Sequence, residues 1–178
     1  NRERINLSAG EIETVAENSI WPRVSPDGRF LAYVNIDNDT LAAELVLANA
    51  DGREATVLLP RERFLTLDAP FFSADGAWLY FSAVAEESSS ASWWEQFCGI
   101  EVAAAHNLPS RWWRIPVAGG QPQPVTLEPE VGQYGTVSPD GRLLAYTAQS
   151  GIYLMQPDGS SRQQLLSLSA AASLSWTP

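Results

Sequence analysis

The sequence predicts an all-β chain built from four-stranded antiparallel units that recur about every 40 residues. Three observations support this prediction. A turn phrase, Ser-Pro-Asp-Gly, occurs at residues 25–28 and 138–141, and a variant with Ala in place of Pro occurs at residues 73–76. A strand-like run of aliphatic and aromatic residues follows each copy. Further short apolar runs, separated by turn residues, complete each unit.

Each residue of the phrase favours a tight turn. Pro fixes φ near the value needed at the second position of a type I turn, and Asp tolerates the third position and can hydrogen-bond its own backbone. Gly then adopts the left-handed conformation that residues with a Cβ resist. We therefore predict a hairpin at each copy, between the first two strands of a unit. The last residues, Trp-Thr-Pro at 176–178, look like the beginning of a fourth copy.

The strands of each unit are named A to D in chain order. We predict complete repeats over residues 19–60, 67–127 and 133–168, and partial repeats over residues 3–16 and 172–178, all within one segment spanning residues 1–178. Strand A of the second repeat is predicted at 70–72, its strand D near 124–126, and a new strand A at 173–176. The period is typical of the four-stranded blades of a β-propeller. A β-sandwich is disfavoured, because it would not repeat the same turn at the same place in every unit.

The second repeat carries a long insertion between strands B and C, at residues 84–110. Ser92-Trp93-Trp94-Glu95 has the pattern of a capping box, so a short helix is predicted from there to about Cys98, ending at Gly99.

Composition excludes several classes of protein. The net charge is −10 and the chain contains no Lys, so we expect no nucleic-acid partner. No apolar stretch is long enough to span a bilayer, and from residues 1–4 we expect no signal peptide. Cys98 is the only cysteine, which leaves no intrachain disulfide and favours a buried structural thiol.

The insertion supplies the candidate partner-binding residues. We expect them on the propeller face that collects the irregular loops, because function tends to lie on such loops. They are Trp93, Trp94, Phe97, His106, Asn107, Arg111 and Trp112. They could form an aromatic platform for a sugar, a peptide or a protein, but packing of a helix over the end of the propeller is the favoured interpretation.

No catalytic or metal-binding pattern is found in the sequence. His106 is the single histidine, and no Gly-x-Ser-x-Gly elbow accompanies it. Asp37-Asn38-Asp39 begins like a calcium loop but fails at Leu41, where an oxygen ligand is needed. We therefore expect no catalytic residue, no metal and no cofactor.

The turns, together with the aromatic residues Tyr33, Phe81 and Tyr146 five positions after each Gly, resemble the TolB-type β-propeller repeat, a WD-like family. The run from Ile152 to Gly159 resembles it too. The likeness covers nearly the whole chain outside the insertion. It implies a bacterial extracytoplasmic protein, periplasmic or at the cell surface.

The resemblance implies a non-catalytic, scaffold-like module that binds a protein or another macromolecule. Two alternatives are the accessory propeller of a larger prolyl-oligopeptidase-like hydrolase and a propeller polysaccharide lyase. Propellers close with four to eight blades, so we expect either a segment of a longer propeller or completion by another chain through exposed blade edges. A squeezed fourth blade, in which residues 3–16 pair with residues 172–176, is a third option.

Overall fold

The computed structural model of the chain describes residues 2–5, 11–85, 108–168 and 174–177. Three four-stranded antiparallel sheets dominate it, and within each sheet the strands neighbour one another in chain order. These sheets are called blade 1, blade 2 and blade 3. A separate two-stranded N-terminal hairpin precedes them, formed by β1 (Arg2–Ile5) and β2 (Ile12–Ala16). The predicted all-β class with four-stranded antiparallel units is confirmed.

The strand bounds are as follows. Blade 1 contains β3 (Ser19–Val24), β4 (Phe30–Ile36), β5 (Ala43–Asn49) and β6 (Thr56–Leu59). A short 3₁₀ turn, Arg61–Arg63, leads to blade 2, which contains β7 (Phe64–Phe72), β8 (Trp78–Ala85), β9 (Arg111–Pro116) and β10 (Gln123–Pro124). Blade 3 contains β11 (Tyr134–Val137), β12 (Leu144–Ala148), β13 (Gly151–Met155) and β14 (Gln163–Leu166). Across the described ranges, no helix has the length and apolar character needed to cross a membrane.

The blades are arranged radially, with their A strands closest to a shared axis. The A strand of blade 2, β7, contacts the A strands of both neighbours, β3 and β11. Trp21 and Tyr134 occupy equivalent positions in blades 1 and 3, and their ring centroids are 5.7 Å apart. The corresponding residue of blade 2 is the buried Ala69, so no large side chain from the middle blade separates the two rings.

Side chains alternate between the two faces of each blade. In β4, Leu31 and Tyr33 pack with Ala16 of the N-terminal hairpin, whereas Ala32 and Val34 pack against blade 2. A second cluster joins blades 2 and 3 and contains Phe71, Tyr80, Trp112, Val125, Leu144, Tyr146, Tyr153 and Met155. Burial of each large side chain contributes about 1.5–3 kcal/mol, so these clusters between blades are the main stabilising contacts.

The predicted turns are present, and they share one hydrogen-bond pattern. Ser73 Oγ donates to Asp75 Oδ1 at 2.5 Å and accepts from the Trp78 amide at 2.9 Å. The turns that begin at Ser25 and Ser138 repeat both bonds. The copy with Ala in place of Pro keeps this geometry, so the serine and the aspartate define the turn and the proline is dispensable.

Strand A of blade 2 starts earlier than the sequence indicated. We predicted it at residues 70–72, but β7 begins at Phe64. Nearly every side chain of β7 is buried, so the strand lacks the alternating pattern by which half-buried strands are recognised. A register shift between Asp68 and Phe71 lets the strand continue past Ala69, which has a φ of 47°.

Two further expectations concern the chain ends. A new strand A was predicted at residues 173–176, but the described residues 174–177 belong to no strand. A strand A pairs with strand B of its own blade, and the described residues include no such partner for this segment. The described strands of the hairpin, β1 and β2, pair only with each other, so pairing of residues 3–16 with residues 172–176 is not seen there. The predicted helix at Ser92–Cys98 lies outside the described residues.

Candidate functional site

The connections of the blades divide between two faces of the propeller. Consecutive strands run in opposite directions, so the A–B and C–D turns share one face and the B–C and D–A connections share the other. The second is called the loop face. Its described parts include residues 37–42, 60–63, 127–133 and 149–150. These connections differ between blades, whereas the turns on the other face repeat the same pattern. We therefore look for function-specific residues on the loop face.

The first loop of this face, residues 37–42, is held by Asp37. Its Oδ1 atom accepts hydrogen bonds from the Asp39 amide at 3.0 Å, the Thr40 amide at 2.9 Å and the Thr40 hydroxyl at 3.0 Å. The bonds from Thr40 lower the pKa of Asp37 below its ordinary value, because they stabilise the ionised carboxylate. Leu41, which follows Thr40, has a φ of 61° and is 44% exposed.

Arg61 ties this loop to the connection between blades 1 and 2. Its guanidinium donates to Asn35 Oδ1 at 2.9 Å, to Glu44 Oε1 at 3.2 Å and to Asp37 Oδ2 at 3.4 Å. Both oxygens of Asp37 are therefore engaged by the protein itself. The group is only partly buried, so it positions the loop more than it stabilises the fold.

A buried polar group lies where blade 2 meets blade 3. The hydroxyls of Ser82 and Ser110 are 2.6 Å apart, and Ser82 also donates to Gln133 Oε1 at 3.4 Å. Gln133 is 2% exposed, and its Nε2 atom has no hydrogen-bond partner. Ser110 and Glu130 exchange main-chain hydrogen bonds, which fix the D–A connection beside the start of β9.

A cluster of polar and aromatic side chains surrounds the Arg162 guanidinium beside the same connection. It is called the Arg162 cluster. The Arg162 guanidinium donates to Glu130 and, at 2.6 Å, to the hydroxyl of Tyr146. It also lies over the Tyr153 ring, 4.1 Å from the centroid. Burial raises the pKa of Tyr146 above its ordinary value. Ser150 completes the cluster, 2.8 Å from the Tyr153 hydroxyl.

Comparison with known proteins rests on structure alone, because no family model and no curated protein match this sequence. A protein assigned as TolB from Agrobacterium tumefaciens is similar over 87% of this chain and 52% of its own, with a TM-score of 0.65 and 20% identity. An oligogalacturonate lyase from Vibrio parahaemolyticus is similar over 93% of this chain and 42% of its own, with a TM-score of 0.63 and 14% identity. An acylaminoacyl peptidase is similar over 92% of this chain and 27% of its own, with a TM-score of 0.60 and 17% identity.

The chain has the TolB-type β-propeller fold. It spans about half the length of the TolB structure and less of the other two. At these identities the likeness concerns the fold, and one fold supports many functions.

The structure of this TolB-type propeller describes two of the seven candidate partner-binding residues. Arg111 is half-buried at the start of β9. Trp112 is fully buried, with its ring 5.4 Å from Phe71 and 6.0 Å from Tyr146, so it acts through packing between blades 2 and 3. The other five candidates, Trp93, Trp94, Phe97, His106 and Asn107, lie outside the described residues.

The sequence analysis missed three features of the propeller's loop face. Leu41 was noted only because it disqualifies a calcium loop. Leu127, in the connection between blades 2 and 3, is 77% exposed and was not singled out. Arg61 carried no signal, because its partners at residues 35, 37 and 44 are distant in sequence.

Proposed function

We propose that this chain is a non-catalytic propeller module that binds another protein through its loop face and works outside the cytoplasm. The extracytoplasmic location is proposed from the resemblance to TolB-type proteins. The serine and aspartate side chains of the three repeated turns are engaged in building those turns, which fits a structural role for them.

The proposal rests on one observation: Leu41 is an exposed apolar residue held in the left-handed region by a fixed loop. A leucine in the left-handed region is uncommon, and its conformation costs on the order of 1 kcal/mol. Its amide donates to the Asp37 carbonyl at 2.9 Å, and the Asp37 carboxylate and Arg61 fix the rest of the loop. A rigid loop that displays an apolar side chain to solvent loses little conformational entropy when a partner covers it.

Leu127 provides a second apolar contact on the same face. It is the most exposed of the large apolar side chains among the described residues. Protein interfaces bury apolar residues at their centre and keep a polar rim, and charged residues such as Arg63 and Asp39 are available for that rim.

Photo-crosslinking in the native organism tests this proposal. A photoreactive amino acid is placed at Leu41 or Leu127, and for comparison at Val57, which is 47% exposed on the outer strand of blade 1. We expect the same adduct of defined mass from positions 41 and 127 and none from position 57. Adducts of equal yield at all three positions, or none at 41 and 127, would contradict binding through the loop face.

A second candidate function is that of an accessory propeller in a larger hydrolase. The similarity to the acylaminoacyl peptidase favours it, and the similarity to the lyase suggests a polysaccharide-cleaving relative instead. The complete gene discriminates between these proposals. A neighbouring hydrolase domain in the same polypeptide would favour the accessory role over the binding module.

A further inference from the structure

The interface between blades 2 and 3 has three polar side chains where the interface between blades 1 and 2 has three apolar ones. The polar residues, together called the polar junction, are Ser82, Ser110 and Gln133. Strand pairing and position relative to the shared turn identify their counterparts one blade earlier as Val34, Ala43 and Leu67. All three counterparts are buried in one core cluster. Apolar packing alone can therefore fill this place in the fold.

The polar junction is buried as deeply as its apolar counterpart. Ser82 is 2% exposed, Ser110 is 7% exposed and Gln133 is 2% exposed. Burying polar groups costs free energy unless each donor and acceptor finds a partner. The two serine hydroxyls are partners of each other, but Gln133 Nε2 has no acceptor among the described residues. The polar junction therefore needs a further acceptor to be stable.

A second buried donor on the same interface also lacks an acceptor. Trp112 is fully buried, and its Nε1 atom has no hydrogen-bond partner within the described part of the chain. Its ring lies against Gly135, two residues after Gln133. No other fully buried side chain in the described ranges has an unpaired polar atom. Both donors lie at one interface, which points to an occupant that supplies acceptors there.

The surroundings favour an uncharged occupant. Asp68 pairs with Ser82 across β7 and β8, so its carboxylate lies beside the polar junction. Burial, and then the charge of Asp68, raise the pKa of Tyr134, which follows Gln133. A second negative charge would be repelled here, and a metal cation cannot accept a hydrogen bond from Gln133. The oxygen of a neutral O–H group can accept that bond and donate to a neighbouring oxygen.

We propose that the polar junction is a binding site for one small uncharged molecule with an O–H group, either water or a polyol. Gln133 Nε2 donates to the oxygen of this molecule, and the hydroxyl pair of Ser82 and Ser110 accepts from it. The site lies between blades and is independent of partner binding at the loop face.

A crystal structure and mass spectrometry of the 178-residue chain test the proposal, with all polyols left out of the solutions. We expect density for an oxygen about 2.7–3.2 Å from Gln133 Nε2. Isolated density with no compound released on denaturation identifies water. Extended density with a released polyol identifies the polyol. The triple variant Ser82→Val/Ser110→Ala/Gln133→Leu reproduces the apolar counterpart and should lose both the density and any released compound.

Thermal unfolding tests the proposal without crystals. Gln133→Leu removes the donor to the bound oxygen and should lower the melting temperature. If nothing is bound, the same variant removes an unpaired buried amide and should raise the melting temperature instead. Gln163→Leu, on the exposed strand β14, is the control for the substitution itself.

Two results would overturn the proposal. One is a raised melting temperature in Gln133→Leu beyond any change in Gln163→Leu. The other is a crystal structure with no oxygen of a bound molecule within hydrogen-bond distance of Gln133 Nε2. Neither result depends on crosslinking at Leu41, so this proposal and the proposed function fail separately.

Discussion

Gly159, in the last turn of blade 3, lies directly against the main-chain carbonyl of Val125 at the end of blade 2. A Cβ at position 159 would overlap this carbonyl oxygen. Gly52 in blade 1 stands in the same relation to the carbonyl of Val15 in the N-terminal hairpin. In blades 1 and 3, the C–D turn therefore contacts the preceding element closely through a glycine.

The first prediction separates this contact from backbone strain. Gly159→Ala should destabilise the protein by well over the roughly 1 kcal/mol expected for placing Ala in the left-handed region. Gly28→Ala is the matched control, because Gly28 has a φ of 73° but no atom lies within 4 Å of the point that a Cβ would occupy there. Urea unfolding of both variants measures the difference. Equal losses of stability would show that the approach to Val125 contributes nothing.

The second prediction concerns the repeated turn. Ser73→Ala removes the bond to Asp75 and leaves the Trp78 amide without its acceptor, so we expect a loss of about 1–3 kcal/mol in the free energy of unfolding. Ala74→Pro restores the phrase found in the other two copies and should be neutral or stabilise by about 0.4–1 kcal/mol. Thermal and urea unfolding measure both effects. A harmless Ser73→Ala would show that the shared pattern is incidental.

The third prediction is a dependence of stability on pH. The hydrogen bond from Ser25, followed by bonds from Arg29, lowers the pKa of Asp27 to about 2. A lowered pKa in the folded state means that the unfolded chain binds more protons between about pH 4 and pH 2, so stability falls as the pH falls through this window. Asp75 and Asp140 are shifted in the same direction by the equivalent serines.

Replacing one of these carboxylates tests the assignment. Asp27→Asn should flatten the slope of unfolding free energy against pH between about pH 4 and pH 2. Asp39→Asn serves as the control, since Asp39 lies in an exposed loop and its side chain takes no part in the repeated turn. An unchanged slope in Asp27→Asn would assign the acid sensitivity to other groups.

The fourth prediction concerns the Arg162 cluster, in which Arg162 contacts Glu130 and Tyr146. Arg162→Met should cost about 1–3 kcal/mol, because the variant removes charge-assisted hydrogen bonds from a partly buried site. Arg142→Met should change stability by less than about 0.5 kcal/mol, since Arg142 is 85% exposed. A double-mutant cycle with Tyr146→Phe measures the coupling directly. A coupling energy near zero would mean that the hydrogen bond between Arg162 and the Tyr146 hydroxyl does not contribute to stability.

The sequence alone determined the fold of this chain. The Ser-x-Asp-Gly turns and the apolar runs after them are local signals, because turn formation and strand pairing across a hairpin depend on neighbouring residues. The four-stranded antiparallel units that these signals predicted are therefore present in the structure. The same local signals failed at β7, where burial on both faces removed the alternating pattern.

Tertiary structure alone decided how the blades meet and what the loop face presents. Arg61 finds its three acceptors across 17 to 26 residues of sequence, and Gly159 meets Val125 only after both blades have formed. Nothing in the local sequence distinguishes Leu41 and Leu166 from leucines that are buried. Their exposure follows from loop geometry and from the stacking of whole sheets, which no local pattern encodes.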